Sequence, residues 1–362
     1  MTKFVKTILD ISVMKNLLKT AREKKGLKTR ELAQLLSIDQ ALISKFESGT
    51  RKPTKAQVVK LASELEIDLE ILMIAWIKER ILYEIRDENL ALIAINQVRE
   101  EIEKGYSVSK KTLSKNLTML LEEIDSLRST LNNFRQFDSF RIAQALELEY
   151  TFESNRIEGN TMTLRETDLV INEGLTISGK SMREHLEAIN HQEAIAYIKQ
   201  LMAKNSLINE RELLSIHNLI LRGIHPEDAG RYRKVQVMIK GSSHMPPQPF
   251  LIGKEMEDFF IWYDLNKNQL HPIVLAAELH ERLVTIHPFI DGNGRTSRLL
   301  MNLVLLQHGY IIANIKGDYD NRMAYYSALE TAQTKGNKED FLVFIAQIEK
   351  ESLERYIGII SQ

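Results

Sequence analysis

The chain is predicted to be mainly α-helical, and three observations carry that reading. Glycine and proline are scarce, 16 and 7 among 362 residues. Apolar residues recur three and four positions apart over long stretches, the period of a helix with one buried side. Short alternating runs, the mark of strands, are rare. The length allows two or three domains with a substantial core. A net charge of −1 gives no whole-molecule attraction to nucleic acid or membrane, so any such binding has to be local. There is no cysteine, which excludes disulfides and thiolate metal sites and permits a reducing compartment. Residues Met1 to Asp10 are broken by lysines and an aspartate and do not form a signal peptide. The apolar run Ile71–Ile77 is far too short to cross a membrane. A cytoplasmic location with no membrane partner is expected.

In chain order, the first expected unit covers residues 1–68. Met14 to Lys25 reads as a helix stopped at Gly26. Thr29 caps a second, Arg30 to Leu36, with Leu32, Ala33 and Leu36 inward. Ser37-Ile38-Asp39 is a turn; a third helix runs from Gln40 to Glu47 and ends at Gly49, and Lys55 to Leu65 is a fourth. Between Met14 and Ile67 twelve lysines and arginines stand against six acids, the local basic excess that phosphate contact needs. The string TRELAQLLSIDQALISKFESGTRKP resembles the helix-turn-helix domain of the Cro and lambda-repressor type. The resemblance implies that Ala33 packs between the central helices, that Ile43 and Phe46 anchor the recognition helix, and that Gln40, Ser44 and Lys45 face the DNA groove. A bundle that binds protein instead is the alternative, since fold alone does not fix function.

Residues 69–135 read as a helical linker. Leu69 to Lys104 is one long helix or two, broken at Gly105. From Ser109 onward Leu113, Leu117, Leu120, Leu121, Ile124, Leu127 and Leu131 make a stripe at helical spacing, either core or a surface that pairs with another chain. A homodimer is plausible on that basis, because helix-turn-helix proteins usually bind two half-sites. A stiff spacer is the other reading.

Residues 136–362 hold the chemistry. The informative stretch is His287-Pro288-Phe289-Ile290-Asp291-Gly292-Asn293-Gly294-Arg295-Thr296-Ser297-Arg298. An imidazole titrates near working pH and suits a general base. Asp291 offers the hard oxygen that Mg²⁺ prefers. Gly292-Asn293-Gly294 can turn tightly and aim backbone N–H groups at a phosphate where the next helix begins. Arg295 and Arg298, three apart, can face one anion. Leu299, Leu300, Leu303 and Leu306 supply the buried side of that helix. An ordinary helix–turn–helix corner with solvated arginines leaves this coincidence of groups unexplained.

The stretch resembles the Fic family signature, HxFx(D/E)GNGRxxR, at every fixed position. The resemblance implies transfer of AMP from ATP to a hydroxyl on a target protein. His287 would then be the base, Asp291 the magnesium ligand, Gly292, Asn293 and Gly294 the phosphate cradle, and Arg295 and Arg298 the partners of the outer phosphates. Phe289 would anchor the loop in the core. Ser154-Asn155-Arg156-Ile157-Glu158-Gly159, at the end of a helix begun near Arg141, looks like the family's inhibitory motif (S/T)xxxE(G/N). By that likeness Ser154 and Glu158 lie near 154–159 on an inhibitory helix, and Glu158 pairs with Arg298. A carboxylate so placed would occupy the site and repel the incoming anion. The bland alternative is a glutamate beside a helix stop at Gly159.

The likeness extends through Thr161 to Tyr197. His185 and His191 are not spaced as a zinc pair and lack a third ligand, so a structural or solvent-facing role is expected. Val235, Val237 and Ile239 alternate as a short strand, with a turn at Gly241-Ser242-Ser243-His244. The family resemblance makes this a β-hairpin flap that docks a target segment by strand addition. Further helices are read over Glu210–Leu221, Met256–Asn266, Ile273–Ile286, Arg322–Thr334 and Phe341–Ile360. Tyr325 and Tyr326 line an adenine pocket by resemblance, or else fill the core. Two rival functions stand beside AMP transfer. One is removal of AMP at the same site, with Glu158 orienting water. The other is nucleotide sensing by a transcriptional regulator that acts on its own promoter.

Overall fold

In the computed structural model, residues 14–36, 38–85, 90–106, 113–134 and 140–361 are described. The readings made on Met1–Asp10, Ser37 and Ser109 lie outside them. Regular structure among the described residues is helical, and the chain divides into two compact units, 1–101 and 102–362.

The first unit holds α1 (Met14–Lys24), α2 (Thr29–Leu36), α3 (Gln40–Ser48), α4 (Lys55–Leu65) and α5 (Leu69–Glu84). Their apolar faces converge on Leu18, Leu32, Ile43, Phe46, Val58, Leu61 and Leu72. Local chemistry sets the ends. The Asp39 carboxylate accepts from the Ala41 N–H to start α3, and Gly49, at φ 77°, closes it. Thr54 and Gln57 form a capping box at α4. Arg22 of α1 binds both carboxylate oxygens of Glu47, at 2.6 and 2.9 Å, tying α1 to α3. Trp76 closes the unit from α5, its indole N–H donating to the Pro53 carbonyl at 2.8 Å. The next helix, α6 (Ala91–Tyr106), runs through Gly105 instead of breaking there. A glycine near a helix end costs only about 1 kcal/mol relative to alanine, too little to stop the helix alone.

The second unit is built from α7 (Lys115–Phe134), α8 (Phe140–Ile157), α9 (Leu164–Asn172), α10 (Met182–Ala203), α11 (Glu210–Leu221), α12 (Ile252–Asn266), α13 (Pro272–Ile286), α14 (Asn293–Gln307), α15 (Tyr319–Lys335) and α16 (Glu339–Ile360). The stripe on α7 is core here: Leu117, Leu121, Ile124 and Leu131 are buried, and α7 packs along α16. Helices α13 and α14 run side by side through the centre and are buried over most of their length. Helices α10 and α11 cover one side of α14, and α8 approaches it from another. The six residues between α13 and α14 are thereby held at one end of the bundle.

The β-hairpin expected over 235–247 is not formed: no strand is present among the described residues. A turn does close, with the Ser242 N–H donating to the Ile239 carbonyl. The flanking carbonyls are taken by side chains instead of by a ladder. Arg233 donates to the Val235 and Pro247 carbonyls, and Gln236 to that of Pro246. Pro246 and Pro247 have no N–H to offer. Val235 and Met238 are exposed, so no apolar face holds the two arms together. Among the described residues no helix is long and apolar enough to cross a membrane.

Candidate functional site

The site forms where α13 stops and α14 starts. His287 caps α13 in the left-handed region, φ 50°, a conformation that turns the chain out of the helix. Its Nδ1 lies 3.3 Å from the Val284 carbonyl, which can only accept, so Nδ1 carries the proton and Nε2 keeps its lone pair. Burial holds the imidazole below its usual pKa; Arg233 and His244 push the same way, against the Val284 carbonyl and Glu158. At neutral pH the ring is an uncharged base. Arg233 fixes the turn by donating to the carbonyls of His287, at 2.8 Å, and Pro288, at 2.9 Å.

Phe289 is fully buried, and Asn293 locks its backbone by accepting from its N–H and donating to its carbonyl, at 3.0 and 2.9 Å. Asn293 is thus committed to the loop. Gly292, at φ 78°, is the N-cap of α14, and no side chain caps that helix. Its first N–H groups and the positive end of its dipole are left for an anion.

His217 of α11 is a functional element that the sequence did not disclose. It stacks on Phe289 with ring centres 3.6 Å apart and planes 9° from parallel. The Gly230 N–H donates to its Nδ1 at 3.0 Å, so Nε2 is protonated and donates to the Asp291 carbonyl at 2.9 Å. Burial drops its pKa to about 4, keeping it neutral. This imidazole clamps the loop from beneath.

Asp291 sits in a charge cluster. Its Oδ1 accepts from the Gly292 N–H at 2.6 Å and lies 3.3 Å from Arg295; its Oδ2 lies 2.7 Å from Arg183 of α10. Glu187, also on α10, bridges Arg183 and Arg295 at 3.1 and 3.3 Å. Burial alone would raise the Asp291 carboxyl, but Arg295, the Gly292 N–H and Arg183 outweigh it and hold the group ionised.

Arg298 belongs to a second cluster. It is 1 % exposed, and burial works against its charge, yet Glu158, Tyr325 and Tyr150 keep its pKa above the ordinary value. Its Nη2 donates to Glu158 Oε1 at 2.7 Å and to the Ser154 carbonyl at 2.9 Å, and its Nε donates to Ser154 Oγ at 3.0 Å. The two arginines expected to face one anion are therefore engaged on different carboxylates. Glu158 also lies directly over Gly294: a Cβ added there would collide with its Oε1. The glutamate rests on the uncapped end of α14 where an anion would go.

The end of α8 that carries Glu158 is fastened on several sides. Asn155 and Asn160 donate to the Glu187 and Glu184 carbonyls of α10. Tyr326 donates to the Ile157 carbonyl at 3.1 Å. Tyr325 is buried with its hydroxyl 3.0 Å from His280 Nε2, among core aromatics. His185 and His191 are structural: His185 Nε2 accepts from the Ile177 N–H, and His191 is buried against Thr151 and Tyr150. No group of three potential metal ligands occurs among the described residues. In the first unit Gln40, Ser44 and Lys45 are exposed on α3, with Gln40 donating to the Thr29 hydroxyl.

Comparison with known proteins agrees with both units. Residues 207–305 match the Fic/DOC family and residues 18–72 the helix-turn-helix family. A protein adenylyltransferase Fic of Nematostella vectensis is 37% identical over 245 residues, 66% of this chain and 56% of that protein. One from Culex quinquefasciatus is 36% identical, over 67% of this chain and 48% of its own length. The chain thus spans about half the length of these relatives. A Fic-domain signaling protein from Bacteroides thetaiotaomicron superimposes with TM-score 0.60 at 26% identity, covering 66% of this chain and 98% of that one. A Fic-1 fragment from C. elegans, at 22% identity and TM-score 0.61 over 96% of this chain and 98% of its own, shares the fold. The chain carries a Fic/DOC domain and, ahead of it, a helix-turn-helix domain.

Proposed function

We propose that the second unit transfers AMP from ATP to a serine, threonine or tyrosine hydroxyl of a target protein, that Glu158 restrains it, and that the first unit binds DNA, with a homodimer as the form that would read two half-sites. One observation carries the catalytic reading. A neutral imidazole whose Nε2 has no hydrogen-bond partner among the described residues shares a six-residue loop with an ionised carboxylate and the uncapped, positive end of a buried helix.

In this reading the target hydroxyl oxygen attacks the α-phosphorus while His287 Nε2 takes its proton. The bond between the α-phosphorus and its bridging oxygen breaks, and pyrophosphate leaves. The N–H groups at the start of α14 stabilise the charge that grows on the phosphate oxygens. Arg295 and Arg298 meet the departing phosphates, Arg298 after Glu158 withdraws. His217, Asn293 and Arg233 keep the loop from relaxing during the step. Asp291 suits a magnesium ion: it is ionised, partly exposed, and one protein carboxylate with substrate phosphates is a shell that ion accepts. When bound, the ion would neutralise charge between the α- and β-phosphates.

The test is incorporation of label from α-labelled ATP into lysate proteins by the native chain, Glu158→Gly and His287→Ala. Label is expected to rise in the first variant and vanish when both changes are combined. Label unaffected by His287→Ala would overturn the catalytic assignment. Loss of label from a modified protein, requiring Glu158, would instead point to AMP removal.

A further inference from the structure

In the first unit, helix α5 carries more apolar surface than its neighbours cover. It packs on α1 and α4 and buries Leu72, Ala75 and Trp76. On its opposite side Ile71, Ile74, Ile77 and Ile81 stand three and four residues apart, each 42–46 % exposed. That spacing puts all four on one face of the helix. A continuous apolar stripe left bare on a surface helix marks contact with another surface.

The charges within the stripe indicate what covers it. Glu70 lies four residues before Ile74 and Lys78 four after, so the three form one row along the helix. Both charged residues are exposed, and neither side chain makes a hydrogen bond or ion pair among the described residues. Neither has a charged residue three or four places away on α5 to pair with. The row therefore reverses sign about Ile74, with both charges left over.

Such a row is complementary to itself. Two copies of α5 related by a two-fold axis at the level of Ile74 run antiparallel, and at a crossing angle of about 50° their four-apart rows lie side by side. Each Glu70 then meets Lys78 of the other copy, twice by symmetry. The two Ile74 side chains meet at the crossing, with Ile71 to one side and Ile77 to the other. A parallel pair would set Glu70 against Glu70 and Lys78 against Lys78, repelling at both ends. A partner of one charge sign, acidic or basic, would match one end of the row and clash with the other.

We propose that the outer face of α5 is the interface of a homodimer, in which a second copy of this chain lies antiparallel across Ile74 with two Glu70–Lys78 bridges. This contact rests on the homodimer proposed above and supplies its surface, but it forms without DNA. Four half-exposed isoleucines per copy make an interface at the small end of the range, so association is expected at about tens of micromolar.

The experiment is sedimentation velocity of the full chain, without DNA or ATP, from about 1 to 200 µM. The native chain is expected to pass from a monomer of 41.7 kDa to a dimer across that range. Ile74→Asp, at the crossing, should weaken association at least tenfold. Lys78→Glu, which sets carboxylate against carboxylate at both bridges, should weaken it about tenfold. The exchange Glu70→Lys with Lys78→Glu in one chain should restore it to within about threefold of native, because each bridge is rebuilt with its signs reversed. Urea unfolding checks that each variant is folded; if Ile74→Asp is not, the charge variants decide alone. A native chain that stays monomeric overturns both this interface and the homodimer. A native dimer that Ile74→Asp and Lys78→Glu leave equally tight keeps the homodimer and overturns this surface. A loss in Lys78→Glu that the exchange does not restore overturns the antiparallel pairing.

Discussion

Glu158 places Oε1 2.7 Å from Nη2 of Arg298, joining two residues 140 positions apart in the chain. The pair is asymmetric. Arg298 is enclosed, with a second nitrogen, Nη1, buried and without a hydrogen bond among the described residues, while the Glu158 side chain is 30 % exposed at the end of α8. An arginine held in that state can exchange one anion for another without moving itself. A triphosphate competing for it must displace the glutamate both from Arg298 and from the space over Gly294.

Glu158→Gly is therefore expected to raise AMP transfer at least tenfold and to lower stability. Removing Glu158 strips Arg298 of its carboxylate partner while its hydrogen bonds to Ser154 remain. For a partly exposed pair the loss should be about 1–3 kcal/mol. Urea unfolding and initial labelling rates measure the two effects. Glu158→Gln separates charge from shape: a variant as restrained as the native chain would show that the steric plug, not the ion pair, holds the site.

The twelve-residue stretch around the loop was legible because its needs are local. A base, a carboxylate, a tight glycine turn and two arginines lie within one window, and Glu158 could be found by a motif of its own. His217 and Arg183 were not legible. They reach Asp291 from 74 and 108 residues away, and one histidine on the apolar side of a helix reads as core until its partners are known. The hairpin failed for a related reason. Alternation of Val235, Val237 and Ile239 describes side chains, whereas a strand needs N–H and carbonyl partners, and here Arg233 and two prolines remove them. Helix bounds were read well where caps are explicit, as at Asp39 and Gly49, and less well at Gly105, where only a weak breaker marked the end.

Arg183 stands on the carboxylate oxygen that a magnesium ion would use. With Arg183 half exposed, the pair is worth about 0.5–1 kcal/mol. Arg183→Gln should therefore tighten Mn²⁺ binding to the ATP-loaded Glu158→Gly chain about two- to fivefold, read by electron paramagnetic resonance. Weaker binding would show instead that Arg183 orients Asp291 for the ion.

His287 has to be neutral to accept a proton, and its pKa is held below 6.5 by burial. A lowered pKa extends the active range toward acid. Labelling by Glu158→Gly should thus be independent of pH from about 8 to 7 and decline only below 6.5. An inflection above pH 7 would contradict the buried, uncharged base.

His217 ties the loop to α11, so its removal should cost both fold and rate. His217→Phe keeps the stack on Phe289 but strands the Gly230 N–H and the Asp291 carbonyl, at about 1–3 kcal/mol. The native histidine also refuses a proton that the unfolded chain takes up. Stability is then fully present above 6.5 and drains as pH falls toward about 4. Urea unfolding of His217→Phe should show a shallower acid loss over that window, and kcat should fall more than KM rises.

The exposed face of α3 offers the remaining prediction. Lys45 projects one charge with no base preference of its own, so Lys45→Ala should weaken DNA binding about equally across sequences and reduce the salt slope by about one. Gln40 is different: it is tied to Thr29, which orders an amide able to pair with a base edge. Gln40→Ala should leave the salt slope unchanged and relax discrimination by about 1–3 kcal/mol at one position. Fluorescence anisotropy with operator and scrambled duplexes at several salt concentrations resolves the two. A first unit with no affinity for any duplex at low salt, yet fully folded, would assign its basic surface to a protein partner instead.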